Sequence, residues 1–195
     1  MKRVVLRNII LLLLIILGGT VSSAYSADQD TIRIRIGLKL FRAILAADTQ
    51  IDSKQGAGGK LALAIIYNND KQQADLYARL LQELGKGKKQ SKIKGIPTVV
   101  HVIATHSLEQ LSVQQYAGLY VVEDLENSVL QQLVDYGIGH HIISYSPYPE
   151  AVEQGISAGL MIGARVRPYV NLLTLKRSQL QIKPFFLKVS KQYEP

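Results

Sequence analysis

Four histidines, His101, His106, His140 and His141, are the side chains whose type could hold a metal ion or move a proton near neutral pH. Their spacing serves neither purpose. His140 and His141 are adjacent, so on a strand they point to opposite faces, and no nearby helix supplies the HxxxH pair that a zinc site uses. The serines of SYSPYP, residues 144–149, lack the GxSxG frame that presents a nucleophile on a sharp turn. GAGGK and GKGKK bring glycine beside lysine without the GxxxxGK[ST] spacing of a phosphate loop, and the first of them precedes its strand instead of following it. The chain has no cysteine, which removes thiol nucleophiles, disulfides and thiolate metal sites. No nucleophile, base and orienting group assemble from these spacings. The expectation is a protein without catalytic residues, resident metal or cofactor.

Binding chemistry has better candidates. Arg165 and Arg167, two residues apart, share one face of a strand and can grip carboxylates. Lys86, Lys88, Lys89, Lys92 and Lys94 crowd one basic stretch, read as an exposed loop whose Lys88 and Lys89 can meet an acidic partner. The turns that follow the apolar strands, residues 68–71, 105–107, 123–124 and 144–148, are rich in hydroxyl, amide and acid groups. Ligands of open parallel sheets bind beyond the carboxyl ends of the strands, which makes Asn68, Asn69, Ser144 and Ser146 candidate ligand contacts. The same side chains also suit helix capping.

The elements that position these residues follow from periodicity. KLALAIIYNND reads as a strand buried on both faces running into a helix N-cap, and the helix after it carries Ala74, Tyr77, Leu80, Leu81 and Leu84 on one face up to Gly85. PTVVHVIA and AGLYVVED repeat the buried-strand pattern. The helix after AGLYVVED has Leu125, Val129, Leu133 and Tyr136 in register and Gly137 as its stop. A fourth strand spans residues 142–145, and Pro149 opens a short helix. Two strands close together around Gly163 read as an antiparallel hairpin, Asn171 as the N-cap of a following helix, and Phe185, Phe186 and Val189 as part of a terminal helical segment. TIRIRIGLKLFRAILAAD fits both a strand and a helix; its Ala-rich end favours a helix over residues 36–47 after an extended piece, and residues 48–60 read as a flexible loop. The fold class expected is α/β, with a mainly parallel sheet flanked by helices and ending in an antiparallel hairpin and a C-terminal helix.

The N-terminus places Lys2, Arg3 and Arg7 ahead of an apolar run over residues 9–17 and then small residues. That layout is a secretory signal peptide; nine apolar residues are too few to span a bilayer. Residues 1–26 are assigned to it, cleavage after Ala24 and after Ser26 both fitting, and residues 27–195 to one domain in the periplasm. The formal charge of +8 less those three basic residues leaves +5, mildly basic, and export argues against a nucleic-acid partner.

GLMIGARVRPYVNLLTLKRSQLQIKPFFLKVSK resembles the C-terminal signature of the YfiR-like periplasmic proteins: a glycine-flanked apolar strand at 159–163, a strand at 165–170 entering Asn171 and Leu172, and a Leu-rich end at 180–189. The resemblance implies a periplasmic regulator, not an enzyme, that docks on an inner-membrane signalling protein and restrains a diguanylate cyclase, with Arg165, Arg167, Lys88 and Lys89 as partner contacts read from their charge. The chain departs from that family in lacking its aromatic-Trp-Pro helix ending and any cysteine. The alternative is a small-molecule sensor or carrier resembling one lobe of a periplasmic solute-binding protein, with an open site unless it forms a homodimer.

Overall fold

The computed structural model describes residues 21–84 and 91–194. By internal contacts the chain separates into two units, Met1–Arg35 and Ile36–Pro195. Helix α1, Val21–Ala47, supplies the described part of the first unit and the start of the second. The extended piece expected before residue 36 is therefore helical; the alternating Ile32 to Leu40 pattern is compatible with both periods, and the helix prevails. Among the described residues no helix is long and apolar enough to cross a membrane. The proposed signal core at residues 9–17 and the lysines Lys86, Lys88 and Lys89 lie outside the described residues.

The second unit is built on an eight-stranded sheet. Its strands are β1 (Leu61–Tyr67), β2 (Lys92–Ile93), β3 (Ile96–Ala104), β4 (Gly118–Val121), β5 (Ile143–Ser146), β6 (Ala158–Ile162), β7 (Val166–Asn171) and β8 (Lys191–Tyr193). They lie in the order β2-β3-β1-β4-β5-β6-β7-β8. β3, β1, β4, β5 and β6 run parallel, β7 returns antiparallel to β6, and β8 pairs parallel with β7. Helices α2 (Lys71–Glu83), α3 (Asn127–Gly139) and α4 (Pro149–Glu153) are the crossovers that parallel neighbours require. α5 (Leu172–Arg177) and the C-terminal helix α6 (Pro184–Val189) lie between β7 and the short closing strand β8, and the expected α/β architecture is observed.

Both faces of β1 are covered, which is why its sequence shows no alternation. On one face Ala62, Ala64 and Ile66 pack in a cluster with Leu119, Val121 and the α3 residues Leu130, Leu133 and Val134. On the other, Phe41 of α1 meets the Tyr120 ring edge-on at 5.5 Å, and Tyr120 stacks on Tyr145 at 5.3 Å. Leu38, Phe41, Ile44 and Leu45 are completely buried on that side of α1. At about 1.5–3 kcal/mol for each such side chain, burial outweighs the few tenths by which helix propensities differ, so packing and not composition fixes this segment. A Cβ on Gly118 would stand 3.0 Å from Leu45 and 3.1 Å from Phe41, so α1 rides directly on the sheet there.

Three local expectations change. Residues 48–60, read as a flexible loop, are ordered by short 3-10 turns, by completely buried Ile51 and by a buried ion pair in which Lys54 Nζ lies 2.5 Å from Asp48 Oδ2. α3 turns its Leu130, Leu133, Val134 and Gly137 face inward and ends at Gly139, so Gly137 lies inside the helix instead of stopping it. The end of the basic loop is pinned: Arg42 donates to the Ser91 hydroxyl at 2.7 Å and the Lys92 carbonyl at 2.6 Å, and Lys94 and Gly95 turn the chain from β2 into β3 with positive φ.

Candidate functional site

Strand order reverses between β1 and β4: β1 leads to β3 on one side, whereas β4 leads to β5 and β6 on the other. At such a reversal the following helices depart in opposite directions and leave a crevice beyond the carboxyl ends of the strands. Residues 68–70 follow β1 here, and Glu123 follows β4.

The two ends are joined by one carboxylate. Glu123 accepts the backbone N–H of Asn68 at 3.0 Å, of Asn69 at 3.0 and 3.1 Å, and of Asp70 at 3.1 Å. Successive N–H groups ahead of a helix form an anion-binding concavity, and this chain fills it with its own acid. Asp70 caps α2 by accepting from the Gln73 N–H at 2.8 Å, as the sequence predicts. At the end of β3 the Thr105 hydroxyl donates to Asn68 Oδ1 at 2.5 Å. Groups from three adjacent strand ends thus hold one another at the crevice, and Asn69 stands exposed among them.

Ser144 and Ser146 are placed differently. Both are buried; the Ser144 hydroxyl lies 3.1 Å from that of Ser157 and accepts its N–H at 3.0 Å, while Ser146 accepts the N–H of Tyr148 at 3.2 Å. These serines brace β5 and the turns beside it through bonds within the chain. Asn171 is the predicted cap, accepting from the Thr174 N–H at 2.9 Å, and its amide also donates to the Val152 carbonyl at 2.8 Å.

Arg165 and Arg167 lie at the tip of the β6–β7 hairpin, away from Asn68 and Glu123 across the sheet. β7 is only half an edge strand, because β8 covers residues 169–171. The two arginines line a notch of about 250 Å³ with Met161, Gly163, Ala164 and Lys191. Sequence reasoning did not foresee Lys191 there, since three residues are too few to signal a strand, nor Glu123 as the acceptor for a turn more than fifty residues earlier.

The histidines are scattered: His101 meets the Tyr116 ring at 5.9 Å, His140 stacks on Tyr136 at 3.9 Å, and His141 Nδ1 lies 3.0 Å from the Ser178 carbonyl. Among the described residues no three His, Asp or Glu side chains gather as a metal site would require. Burial pushes the Tyr120 and Tyr145 phenols well above their ordinary range, so both are neutral and neither is a base near pH 7.

The fold and this edge define a doubly wound α/β domain with its candidate site at the strand-order reversal. No protein-family model and no curated protein matches the chain. Among solved structures it is similar to an ABC domain in complex with L-Trp from Streptococcus pneumoniae, at 11% identity and TM-score 0.54, over 82% of this chain and 61% of that one. It is also similar to a substrate binding protein with adhesive properties from Clostridium difficile, in a ligand-free, open structure, at 14% identity and TM-score 0.50, over 69% and 54% of the two chains. A conserved domain protein from Vibrio cholerae aligns at 12% identity and TM-score 0.49, over 68% and 54%. At these identities the likeness to the first two is one of fold, and the chain spans only 54 to 61% of the length of these solved chains.

Proposed function

We propose that this chain is an exported small-molecule sensor or carrier, acting as one lobe of the solute-binding kind and not as an enzyme. The observation that supports it is the convergence of Asn68, Asn69, Thr105 and Glu123 at the strand-order reversal, on a fold shared with a domain whose structure is an L-Trp complex. Because Glu123 already fills the anion-binding concavity, the ligand group that meets it is a donor, an amine or a hydroxyl. One lobe leaves the crevice open to solvent, so a second copy or a separate partner supplies the opposite wall.

A thermal-unfolding screen with amino acids, amines and sugars tests this reading. A ligand that binds only the native state raises stability by about 2.7 kcal/mol at a hundredfold excess over Kd. The expected result is a melting shift with at least one compound that disappears in Glu123→Gln. No shift with any compound, together with capture of one inner-membrane signalling protein on the immobilised chain, would replace this reading by the docking role that the YfiR-like resemblance implies.

A further inference from the structure

A second cluster of charge lies on the same carboxyl edge, two strands beyond β4. β6 and β7 meet in a turn where the Gly163 N–H donates to the Arg165 carbonyl at 3.4 Å, and a Cβ built on Gly163 would meet nothing within 4 Å. The register sets Met161 opposite Arg167 and Ile162 opposite Val166, so Met161 and Arg167 share a face while Ile162 and Val166 occupy the other. β8 brings in Lys191 opposite Tyr169, two residues further along that face of β7. The Lys191 ammonium stands 5.2 Å from the centre of the Tyr169 ring, and the Tyr169 hydroxyl donates to Glu153 at 3.0 Å.

Three cations therefore line one notch, and among the described residues none of the three is in an ion pair with an acid. Guanidinium groups present planar forks that match carboxylate and phosphate oxygens, and an anion between them relieves their mutual repulsion. The arginine stems, Met161 and Ala164 give the same notch an apolar floor. Its volume of about 250 Å³ falls below the roughly 300–1,000 Å³ of drug-sized clefts, which sets the occupant as compact.

We propose that this notch binds a small organic oxyanion, a carboxylate or phosphate carried on a short apolar body. The site does not depend on the crevice at Glu123 and stands or falls separately from it.

Amide chemical shifts of the isotopically labelled full chain, titrated with hexanoate, with uncharged hexanamide and with inorganic phosphate, read this directly. Hexanoate and phosphate are expected to give saturable shifts at residues 161–167 and 191, with hexanamide giving none. The double variant Arg165→Ala/Arg167→Ala should weaken both anions at least tenfold, whereas Arg177→Ala, an exposed arginine on α5, should not. Equal shifts with hexanamide, shifts that never saturate, or shifts unchanged in the double variant would overturn the proposal. So would binding of phosphatidylglycerol vesicles through the same arginines with neither free anion bound, which would make the notch a membrane contact.

Discussion

The crevice at Glu123 and the notch at Arg167 lie on one edge of one sheet, yet they treat charge in opposite ways. At the crevice the carboxylate and the turn around it are paired within the chain: three N–H groups on Glu123, and Thr105 on Asn68. At the notch three cations share one lining, and among the described residues none of them pairs with an acid. A self-satisfied cluster holds its own geometry and stabilises the fold, whereas an unsatisfied one contributes little to folding and keeps its interaction energy for something else. The crevice thus offers a ligand a carboxylate already fixed in place by the fold, whereas the notch offers cations that the fold does not use.

Four substitutions break or sharpen that contrast. The largest effect is expected at the most enclosed self-satisfied pair: Lys54→Met leaves Asp48 buried with the Gln50 N–H at 2.9 Å as its side chain's one remaining partner among the described residues, and should lower stability by about 3–5 kcal/mol in urea unfolding. Glu123→Ala removes an acceptor from the half-exposed crevice, where water substitutes in part, and should cost about 1–2 kcal/mol. It should also create phosphate binding at the amides of residues 68–70, seen as new shifts absent from the parent chain. Tyr145 is the reverse case, a buried hydroxyl with no hydrogen-bond partner among the described residues; Tyr145→Phe should leave stability unchanged or raise it by up to about 1 kcal/mol. Smallest of all, Arg165→Ala/Arg167→Ala should alter the unfolding free energy by less than about 0.5 kcal/mol, and a larger loss would mean that these arginines serve the fold after all.

What was legible in the sequence was local. The buried run of β1 ending in Asn68, Asn69 and Asp70, the Asn171 cap and the hairpin around Gly163 each carry their signal within a dozen residues, and each is present. What escaped depends on distant parts of the chain. The inward face of α3, with Leu130, Leu133, Val134 and Gly137, is offset from the expected one, and the Gly137 carbonyl accepts the Ile142 N–H at 3.0 Å, a pairing that periodicity does not reveal. Residues 48–60 look flexible from their glycines, but Asp48 is held in a bridge to Ile182 and paired with Lys54. Ser144 and Ser146 have side chains that suit capping, bracing and ligand contact alike, and the position of Ser157 decides that Ser144 is bracing. Arg165 and Arg167 were visible as a pair, while Lys191, the third cation, needed β8.

The partial cover that β8 gives β7 has a consequence for solubility. Beyond residue 169 the outer strand is paired, but Val166, Arg167 and Pro168 still border open solvent, the situation in which a strand from another molecule can add to a sheet. Pro168 has no N–H to offer such a strand, and Arg165 and Arg167 set positive charge along its path. The residues that shape the notch thus also cap the sheet against growth, so neutralising both arginines and replacing the proline should favour self-association at high protein concentration even while the fold itself stays intact.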